Sequence, residues 1–402
     1  MKEKVVLAYS GGLDTSVAIK WIQQEYDSDV ITVTIDVGQG KELKEVEERA
    51  KHIGISKHYT IDAKEDFIRD YIFPAIHANA LYEEKYPVST ALSRPLIASK
   101  LVQIAKKEGA KAVAHGCTGK GNDQIRMDVT IKALDPDLKI IAPVREWGLS
   151  REKEIEYAKK NNIPIPEGSS GTYSVDQNLW GRSIECGVLE KPIEEPPEEV
   201  FEWTNSPMQS PDKPEYISIK FEQGTPIAIN NNNLDALAII ERIRNLGGKH
   251  GIGRIDHIED RITGIKSREV YECPAAIILI EAHKDLEKMV LTRHELQFKQ
   301  QVDTEWANLA YGGLWMDPLK DALDAFIKET QKRVTGVVKI KLFKSKCSVV
   351  GRSSKFSLYD LDLATYGVHT TFDQSWSPGF IEIWGMPTKV ANIKKKADSN
   401  NL

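Results

Sequence analysis

Closely spaced cysteines are absent from this chain. Its four cysteines, Cys117, Cys186, Cys273 and Cys347, lie far apart along 402 residues, with no C-x-x-C pair. This spacing indicates neither a zinc ribbon nor a disulfide framework, and it favours a reducing, cytoplasmic setting. The nine histidines show no HExxH-like spacing either, so we assign no residue to a protein-bound metal.

Long hydrophobic runs and an excess of positive charge are absent as well. The sequence contains no run of about 18 apolar residues, the length that a membrane-spanning helix needs. The N-terminal MKEKVVLAYSGG turns glycine-rich before a signal-peptide hydrophobic region is complete. The 54 lysines and arginines are outnumbered by 59 aspartates and glutamates, which gives a net charge of −5. We therefore expect no global attraction to nucleic acid or to anionic lipid.

Short apolar runs alternate with helical patterns over the first 160 residues. Runs dense in Val and Ile, typical of strands buried on both faces of a parallel sheet, occur at residues 5–8, 30–35, 58–61, 111–114 and 140–144. Helical periodicity covers 42–53, which ends at Gly54, and 95–108, which begins with Pro95 in its first turn and ends at Gly109. The alternation predicts a doubly wound α/β domain, in which ligands bind beyond the carboxyl ends of the strands.

The composition changes after the acidic, proline-rich segment KPIEEPPEEV at 191–200, which predicts a surface connection near a domain boundary. Beyond it we expect an α+β domain. Its predicted elements are a hairpin over 216–221 and 226–229 around EQGT, a helix over 234–246 ended by Gly247 and Gly248, a long helical stretch from about 285 to 333, a second hairpin-like region from 337 and a late strand over 380–384. The final KKKADSNNL is expected to fray.

A loop rich in glycine and hydroxyl groups follows the first predicted strand, in the stretch VVLAYSGGLDTS. Gly11 and Gly12 allow close backbone approach, and the predicted helix over 15–24 supplies free N–H groups and a positive dipole end, so we expect a phosphate site. The lysine of the G-x-x-x-x-G-K-[ST] loop is missing, which argues against a γ-phosphoryl kinase or GTPase. Phosphate would repel Asp14 unless Mg²⁺ bridged the two, and a helix-capping role for Asp14 is compatible with that one.

The SGGLDTS loop resembles the SGGxDS-type loop of the N-type ATP pyrophosphatases. These enzymes bind the terminal pyrophosphate of ATP and cleave between its α and β phosphorus atoms. The resemblance implies that the loop holds a pyrophosphate leaving group. A purely structural loop is the alternative, since a glycine-rich loop by itself is weak evidence.

A second loop, AHGCTGKGNDQIRMD at 114–128, again follows an apolar strand and precedes a predicted helix. It brings glycines, hydrogen-bond donors and acceptors and both charges to one strand end, which suits a zwitterionic, carboxylate-bearing substrate beside a nucleotide. A surface turn rich in turn-forming residues is the alternative interpretation. Two such loops at neighbouring strand ends favour a site.

This second loop is very similar to the HGxTGKGNDQxRF-like signature of the argininosuccinate synthase family. Further blocks in family order extend the resemblance along most of the chain, namely YPVSTALSRPLIA, YSVDQNLWGRSIECG, GGKHGIGRIDHIEDRITGIKSREVYECPA and GFIEIWGMPTKV. The resemblance implies a step of arginine biosynthesis in two parts. L-citrulline and MgATP give citrullyl-adenylate and pyrophosphate, and L-aspartate then displaces AMP to give argininosuccinate.

The resemblance also implies site residues. The ATP-binding residues are Ala8, Tyr9, Ser10, Gly11, Gly12, Leu13, Asp14, Thr15, Ser16, Ile35 and Gly116. Aspartate is assigned to Thr118, Asn122 and Asp123, and citrulline to Tyr86, Asn122, Arg126, Ser174, Ser183, Glu259 and Tyr271. The candidate catalytic residues are Asp14, Asp123 and Arg126.

Individual roles follow from the chemistry of these side chains. Asp123 is a candidate to position the attacking amine of aspartate. Arg126 and Glu259 suit the α-carboxylate and α-amino groups of citrulline. Ala91 stands where the family often has serine, so that a hydroxyl contact to citrulline is lost or shifts to Thr90. We expect Cys117 to be a small buried residue and not a nucleophile.

The resemblance suggests a division into a nucleotide-binding (ATP pyrophosphatase) domain over 1–168, a synthetase and oligomerisation domain over 169–390 and a C-terminal tail over 391–402. It also implies a homotetramer, for which the helical stretch from about 285 to 333 offers apolar positions. Two other functions stay open, another AMP-forming member of the pyrophosphatase group and a nucleotide-binding sensor without turnover.

Overall fold

Strands and helices alternate in the N-terminal part of the molecule, which is a computed structural model that describes residues 2–40, 43–148, 151–165 and 172–399. The elements are β1 (Lys4–Ala8), α1 (Leu13–Glu25), β2 (Asp29–Asp36), α2 (Leu43–Ile53), β3 (Lys57–Asp62), α3 (Lys64–Phe67), α4 (Phe73–His77), α5 (Ser89–Glu108), β4 (Ala112–Ala114), α6 (Asn122–Leu134), β5 (Lys139–Ile141), α7 (Pro143–Trp147) and α8 (Arg151–Lys160). A π-helical turn, Ile68–Ile72, joins α3 to α4.

The first five strands form one parallel sheet in the order β3-β2-β1-β4-β5. Alternate residues of its strands enter two different apolar clusters. Val6 and Ile31 pack in one cluster, and Val5, Leu7 and Val30 pack in the other. The sheet is therefore covered on both faces, which is why its strands read as nearly continuous apolar runs. The predicted doubly wound α/β domain is confirmed.

Two predicted boundaries in this part are wrong, and proline is involved in both. Pro95 lies inside α5 and not in its first turn, because the helix begins six residues earlier, at Ser89. Burial of the apolar side chains of α5 offsets the backbone hydrogen bond that an interior proline removes. The strand predicted over 140–144 ends at Ile141, because Pro143 begins α7.

The following residues build two antiparallel sheets and a group of helices. The elements are β6 (Ser174–Gln177), β7 (Arg182–Glu185), β8 (Glu215–Glu222), β9 (Thr225–Ile229), β10 (Asn232–Asn233), α9 (Ala236–Lys249), β11 (Arg254–Asp260), β12 (Lys266–Glu272), α10 (Pro274–Val290), α11 (Arg293–Tyr311), α12 (Pro318–Gln331), β13 (Gly336–Phe343) and β14 (Lys346–Ser353). The sheets have the strand orders β10-β9-β8-β13-β14 and β11-β12-β7-β6. Both predicted hairpins, β8–β9 and β13–β14, are confirmed.

The helices of this part differ from the prediction in two respects. Gly247 and Gly248 lie inside α9 instead of ending it. A Cβ at Gly247 would lie 2.9 Å from the Pro274 Cβ, and one at Gly248 would lie 2.0 Å from the Trp203 carbonyl oxygen, so close packing explains both glycines. The stretch from 285 to 333 contains parts of three helices, because the capping box at Thr292 begins α11 and a new helix follows further on.

Residues 357–402 form a separate compact unit. Its described elements are α13 (Leu361–Ala364) and α14 (Trp376–Ser399). The strand predicted over 380–384 is wrong, because these residues belong to α14, and a short apolar run such as FIEIW suits a helix as well as a strand. Residues 394–399, which were expected to fray, are helical.

The predicted domain boundary at 168/169 and the last three residues lie outside the described residues. No helix in the described ranges is long and apolar enough to cross a bilayer.

A buried carboxylate connects β12 to the segment before β8. Glu272 is fully buried and accepts hydrogen bonds from the backbone N–H groups of Trp203 and Thr204, at 2.8 and 2.9 Å, and from the Thr204 hydroxyl at 2.7 Å. A guanidinium N–H of Arg182 donates to its other oxygen at 2.9 Å. These contacts fix one edge of the sheet that carries β7 and β12.

Glu272→Ala is expected to lower the free energy of unfolding by about 3–5 kcal/mol, because the change leaves the Arg182 guanidinium buried without this partner. Urea unfolding followed by circular dichroism measures the effect. The control is Glu195→Ala at an exposed position, where we expect a change within about 0.5 kcal/mol. A loss no larger than that of the control would contradict the stabilising role of Glu272.

Candidate functional site

A cleft of about 950 Å³ opens at the carboxyl ends of β1, β2 and β4 and extends to β6, β7, β11 and β12. This is the position at which parallel α/β sheets bind ligands. The structure brings most of the predicted site residues together along its walls. The lining residues among them are Ala8, Tyr9, Ser10, Gly12, Leu13, Asp14, Thr15, Ile35, Tyr86, Gly116, Thr118, Asn122, Asp123, Arg126, Ser174, Ser183, Glu259 and Tyr271. Gly11 and Ser16 are not among them.

The loop between β1 and α1 is shaped by its glycines. Gly11 has φ +75°, and a Cβ on it would lie 2.9 Å from Cγ2 of Val46, so the position requires glycine on two grounds. Its carbonyl oxygen accepts a hydrogen bond from Arg49 at 2.5 Å. Gly12 precedes the first turn of α1, in which Asp14 lies half-buried. The loop therefore presents a helix N-terminus and a carboxylate to the cleft.

Hydroxyl groups stabilise this loop from within. The hydroxyl oxygens of Ser10 and Thr15 lie 3.2 Å apart, and Thr15 also donates to the Gly12 carbonyl at 3.3 Å. Ser16 is fully buried and its hydroxyl lies 3.0 Å from that of Tyr9. Ser16 thus supports the loop from below and does not face the cleft.

The two predicted loops touch each other. A Cβ on Gly116 would lie 2.8 Å from Cγ2 of Thr15, so only glycine allows this approach. Behind it, the backbone N–H of Cys117 donates to Nδ1 of His115 at 3.2 Å, which leaves the ring proton on Nε2, 2.6 Å from Oδ1 of Asp128. Asp128 also accepts from Arg145 at 2.8 Å. The second loop is therefore held in place by polar contacts, of which those of His115 are partly buried.

Two arginines flank one carboxylate on the cleft wall. Oδ2 of Asp123 accepts from Arg94 at 2.7 Å, and Oδ1 accepts from Arg126 at 2.9 Å. Burial alone would raise the pKa of Asp123, but the two guanidinium groups outweigh it and lower the pKa to about 2. Arg94 also contacts Asp176. Asp123 is therefore an anion with little basicity.

Both arginines keep a buried donor that has no hydrogen-bond partner among the described residues, Nε of Arg94 and one terminal nitrogen of Arg126. Only 4% of the Arg126 side chain is exposed. Its Nε donates to the Tyr311 carbonyl at 2.8 Å, and its guanidinium carbon lies 4.8 Å from the centre of the Tyr311 ring. Buried donors of this kind are normally satisfied, so these two nitrogens are available to an acceptor group on a ligand.

Aromatic rings and one glutamate form a neighbouring wall. The rings of Tyr86 and Tyr271 stack with their centroids 4.1 Å apart. Glu259 is 2% exposed, and its two oxygens accept from the hydroxyl groups of Tyr271 at 2.8 Å and Tyr311 at 2.5 Å. Nε2 of His257 lies 3.2 Å from the same carboxylate but makes no hydrogen bond. Glu259 is thus engaged on both oxygens by the chain itself.

Some of the polar residues predicted to contact the substrates already form hydrogen bonds within the protein. The side chain of Asn122 donates to the Tyr311 hydroxyl at 2.8 Å and accepts from the Ile262 N–H at 3.0 Å, so it links α6 to two distant segments. Ser183 donates to the Asp176 carbonyl at 3.3 Å. Thr118 and Ser174 line the cleft.

The position of Ala91 faces the apolar core and not the cleft. Its side chain is fully buried within an apolar cluster, whereas the neighbouring Thr90 lines the cleft. The Thr90 hydroxyl lies 2.7 Å from that of Tyr86. Cys117 also lines the cleft, but burial, followed by the charge of Asp123, raises its pKa to about 12, so it is a thiol at neutral pH.

Sequence reasoning missed four lining or supporting residues, Arg94, Tyr311, Glu185 and Glu269. Arg94 lies within the quoted block YPVSTALSRPLIA, where a charge on an otherwise apolar helix is a usable signal. Glu185 and Glu269 also lie within quoted blocks, YSVDQNLWGRSIECG and GGKHGIGRIDHIEDRITGIKSREVYECPA, but nothing in those blocks singles out either glutamate. Tyr311 comes from α11, which carries no quoted motif. In the described part of the chain, no group of three or more His, Cys, Asp or Glu side chains is arranged to hold a metal.

Comparisons with known proteins agree with this geometry. Residues 4–164 match the family model described as "Arginosuccinate synthase N-terminal HUP domain", and residues 173–391 match "Arginosuccinate synthase C-terminal domain". Argininosuccinate synthase of Geobacillus kaustophilus is 58% identical over 399 residues, which cover 99% of this chain and 98% of that protein. The protein of the same name from Dictyoglomus thermophilum is 56% identical over 393 residues, and these cover 98% of each chain.

Proposed function

The chain belongs to the argininosuccinate synthase family, and we propose that the cleft at the carboxyl ends of β1, β2 and β4 binds ATP, L-citrulline and L-aspartate together and ligates the two amino acids with release of AMP and pyrophosphate. The observation that carries this proposal is the juxtaposition of three features in one cleft. These are the lysine-free glycine loop, the Asp123 carboxylate between two arginines, and the unpartnered donor of Arg126.

The test is a reaction with MgATP, citrulline and aspartate in which the ligation product and pyrophosphate are both quantified. We expect equal amounts of the two, and no product when either amino acid is omitted. ATP binding without turnover would instead favour the nucleotide-binding sensor. Pyrophosphate formed with another acceptor would favour a different AMP-forming pyrophosphatase.

In the first step the citrulline ureido oxygen attacks the α-phosphorus of ATP, and the bond from that phosphorus to the bridging oxygen breaks. The backbone N–H groups at the start of α1 and the hydroxyls of Ser10 and Thr15 would bind the departing pyrophosphate. Because the loop supplies no lysine, Asp14 would hold a Mg²⁺ ion carried by the nucleotide, which neutralises charge on the phosphates. Asp14 and these hydroxyls are the hard oxygen donors that Mg²⁺ prefers.

In the second step the aspartate amine attacks the ureido carbon of the adenylate, and AMP leaves with the bonding electron pair. We assign Asp123 to positioning this amine and not to removing its proton, since a carboxylate with a pKa of about 2 is a weak base at neutral pH. Thr118 would contact the aspartate carboxylates. Arg126 would bind the α-carboxylate of citrulline through its unpartnered nitrogen.

The contact between the two loops gives a specific expectation. Gly116→Ala is expected to raise the KM for ATP about tenfold, because the new methyl group displaces Thr15 by tenths of an ångström. Thr15→Ser removes the opposing methyl group and keeps the hydroxyl. Steady-state kinetics should therefore show that the double variant recovers most of the ATP affinity. An unchanged KM in Gly116→Ala, or no recovery in the double variant, would contradict direct packing of the loops.

We also propose a homotetramer in a cytoplasmic setting and keep the division at 1–168, 169–390 and 391–402. The separate unit after residue 356 supports association, because it exposes many large apolar side chains. Those more than 60% exposed include Tyr366, Val368, Trp376, Phe380 and Ile383. Light scattering should give four times the mass of one chain, and the mass of a single chain would reject the proposal.

A further inference from the structure

Two glutamates oppose each other on the cleft-facing side of the small antiparallel sheet. β12 pairs with β7 so that Tyr271 lies opposite Ser183 and Val270 opposite Ile184. Extending this register by one residue places Glu269 opposite Glu185. Both glutamates line the cleft. Like charges directly opposite each other destabilise a sheet, so this pair has a cost that the fold tolerates.

The surroundings of the pair are mostly acidic. The charged or titratable groups around it are Asp123 and Arg126 on α6, Asp176 on β6, Cys186 after β7, His257 and Glu259 on β11, Arg261 after β11 and Tyr271 on β12. Among the described residues, the cation nearest to Glu269 is Arg261, whose terminal nitrogen is 3.6 Å from the carboxylate, beyond hydrogen-bond length. The nearby positive charges therefore do not balance the two carboxylates. One more positive charge, or one proton on the pair, would complete the balance.

One further polar group lies on the same side of the sheet as Glu269. β11 pairs with β12 so that His257 is opposite Glu269 and Glu259 is opposite Ser267. Nε2 of His257 is buried and has no hydrogen-bond partner among the described residues. Arg126, which lines the cleft, also keeps a terminal nitrogen without such a partner, so this end of the cleft offers both a cationic donor and carboxylates to a ligand with both charges.

We propose that Glu185 and Glu269 share a proton while the cleft holds no amino acid, and release it when they bind the α-ammonium group of citrulline. This inference rests on the proposed function. It assigns to this pair the contact that sequence reasoning gave to Glu259, whose oxygens are occupied by Tyr271 and Tyr311.

The chemistry of the two amino acids selects citrulline over aspartate as the occupant. The amine of aspartate must lose its proton to attack. Asp123 lies between two guanidinium groups that offset its charge, whereas two carboxylates with little cationic compensation would stabilise the protonated amine and oppose that step. The α-ammonium group of citrulline takes no part in the reaction and stays charged throughout. A carboxylate pair is therefore compatible with the citrulline end of the cleft and not with the aspartate end.

Protonation of the pair agrees with the direction of its pKa values. Burial, followed by the charge of Glu185, raises the pKa of Glu269 to about 8, and burial with Asp123 raises that of Glu185. A group with a pKa of about 8 is about nine-tenths protonated at pH 7. An arriving ammonium group lowers this pKa. Binding of citrulline should therefore release close to one proton at pH 7 and only a small fraction of a proton at pH 8.5, and affinity should rise with pH up to about 8.

Titration calorimetry of the full chain with citrulline, in buffers of different ionisation enthalpy, counts the protons released. The matched probe is 5-ureidopentanoate, which is citrulline without its α-amino group. It should bind more weakly and release no proton. If the unmodified chain binds citrulline with no proton release at pH 7, or if 5-ureidopentanoate releases as many protons as citrulline, the proposal is wrong.

Glu269→Gln should abolish the release and raise the KM for citrulline about 10- to 100-fold while the KM for aspartate stays within about twofold. Glu185→Gln should lower the release as well, because Glu269 then loses its acidic neighbour. The control is Asp256→Asn, an exposed residue of β11 that pairs with Arg268, and both readouts should stay unchanged. Normal proton release in both glutamine variants would overturn the proposal, and thermal melting would show that each variant is folded.

The proton-release experiment and the proposed function can fail independently of each other. Turnover of the unmodified chain with MgATP and both amino acids is measured on the same preparation. Turnover without proton release contradicts only the role of the glutamate pair. Failure of all citrulline-dependent turnover contradicts the proposed function, whatever the proton count.

Discussion

Arg126→Met is expected to lower kcat/KM for citrulline by about 100- to 1000-fold. Methionine keeps most of the volume of the side chain, so the packing against Tyr311 is largely retained. The variant loses both the donor proposed for the citrulline carboxylate and one of the two cations that lower the pKa of Asp123. Truncating one partner of a buried charge pair costs about 2–5 kcal/mol, and the expected loss lies within that range.

Steady-state kinetics with varied citrulline measures this effect. Arg126→Lys is the matched variant, since it keeps the charge but not the forked geometry of the guanidinium group. Its kcat/KM for citrulline should lie between those of Arg126→Met and the unmodified chain. The affinity for ATP alone should stay within about threefold in both variants, because the loop over 8–16 is untouched. A citrulline kcat/KM within threefold of normal in folded Arg126→Met would contradict the assigned contact.

Asp14→Asn is expected to lower kcat by about 100- to 1000-fold, the usual effect of removing one group that stabilises charge in the transition state. Asparagine has nearly the same shape and keeps the start of α1 intact, but it binds Mg²⁺ weakly. We expect the loss to be largest at limiting Mg²⁺ and to shrink as Mg²⁺ is raised. The KM values for the two amino acids should change little.

The measurement is a Mg²⁺ titration of turnover at saturating ATP, citrulline and aspartate. The control is Asp27→Asn, a surface residue that pairs with Lys2 outside the cleft. It should leave the titration curve unchanged. Normal turnover of Asp14→Asn at low Mg²⁺ would remove the metal-bridging role and leave Asp14 as a residue of the helix start alone.

The central strands of the parallel sheet could be predicted from the sequence because they are buried on both faces. The run at 30–35 needs no knowledge of distant residues to be identified as a strand. The run at 58–61 is also predicted, although it forms the edge strand β3 and is only partly buried. The late apolar run at 380–384 could not be assigned in the same way. Such a run has no alternation that separates a strand from a helix, and the structure places it in α14.

The two loops of the candidate site could also be predicted, since each follows directly after a strand and is rich in glycine and polar groups. The glutamate pair could not. Glu185 and Glu269 lie far apart in the sequence, and they meet only because β7 pairs with β12 in one register. Tyr311 similarly reaches Arg126 from the end of α11. Tertiary pairing of this kind leaves no local pattern.

The account depends most on which bond of ATP breaks. The most direct test is incubation of the protein with MgATP labelled at the β-phosphorus and with citrulline, followed by separation of the products before and after aspartate is added. We predict that the label appears in pyrophosphate only when citrulline is present, and that AMP is the nucleotide released once aspartate is added. Label found in ADP together with free orthophosphate would contradict the assignment of the loop over 8–16 to a pyrophosphate leaving group.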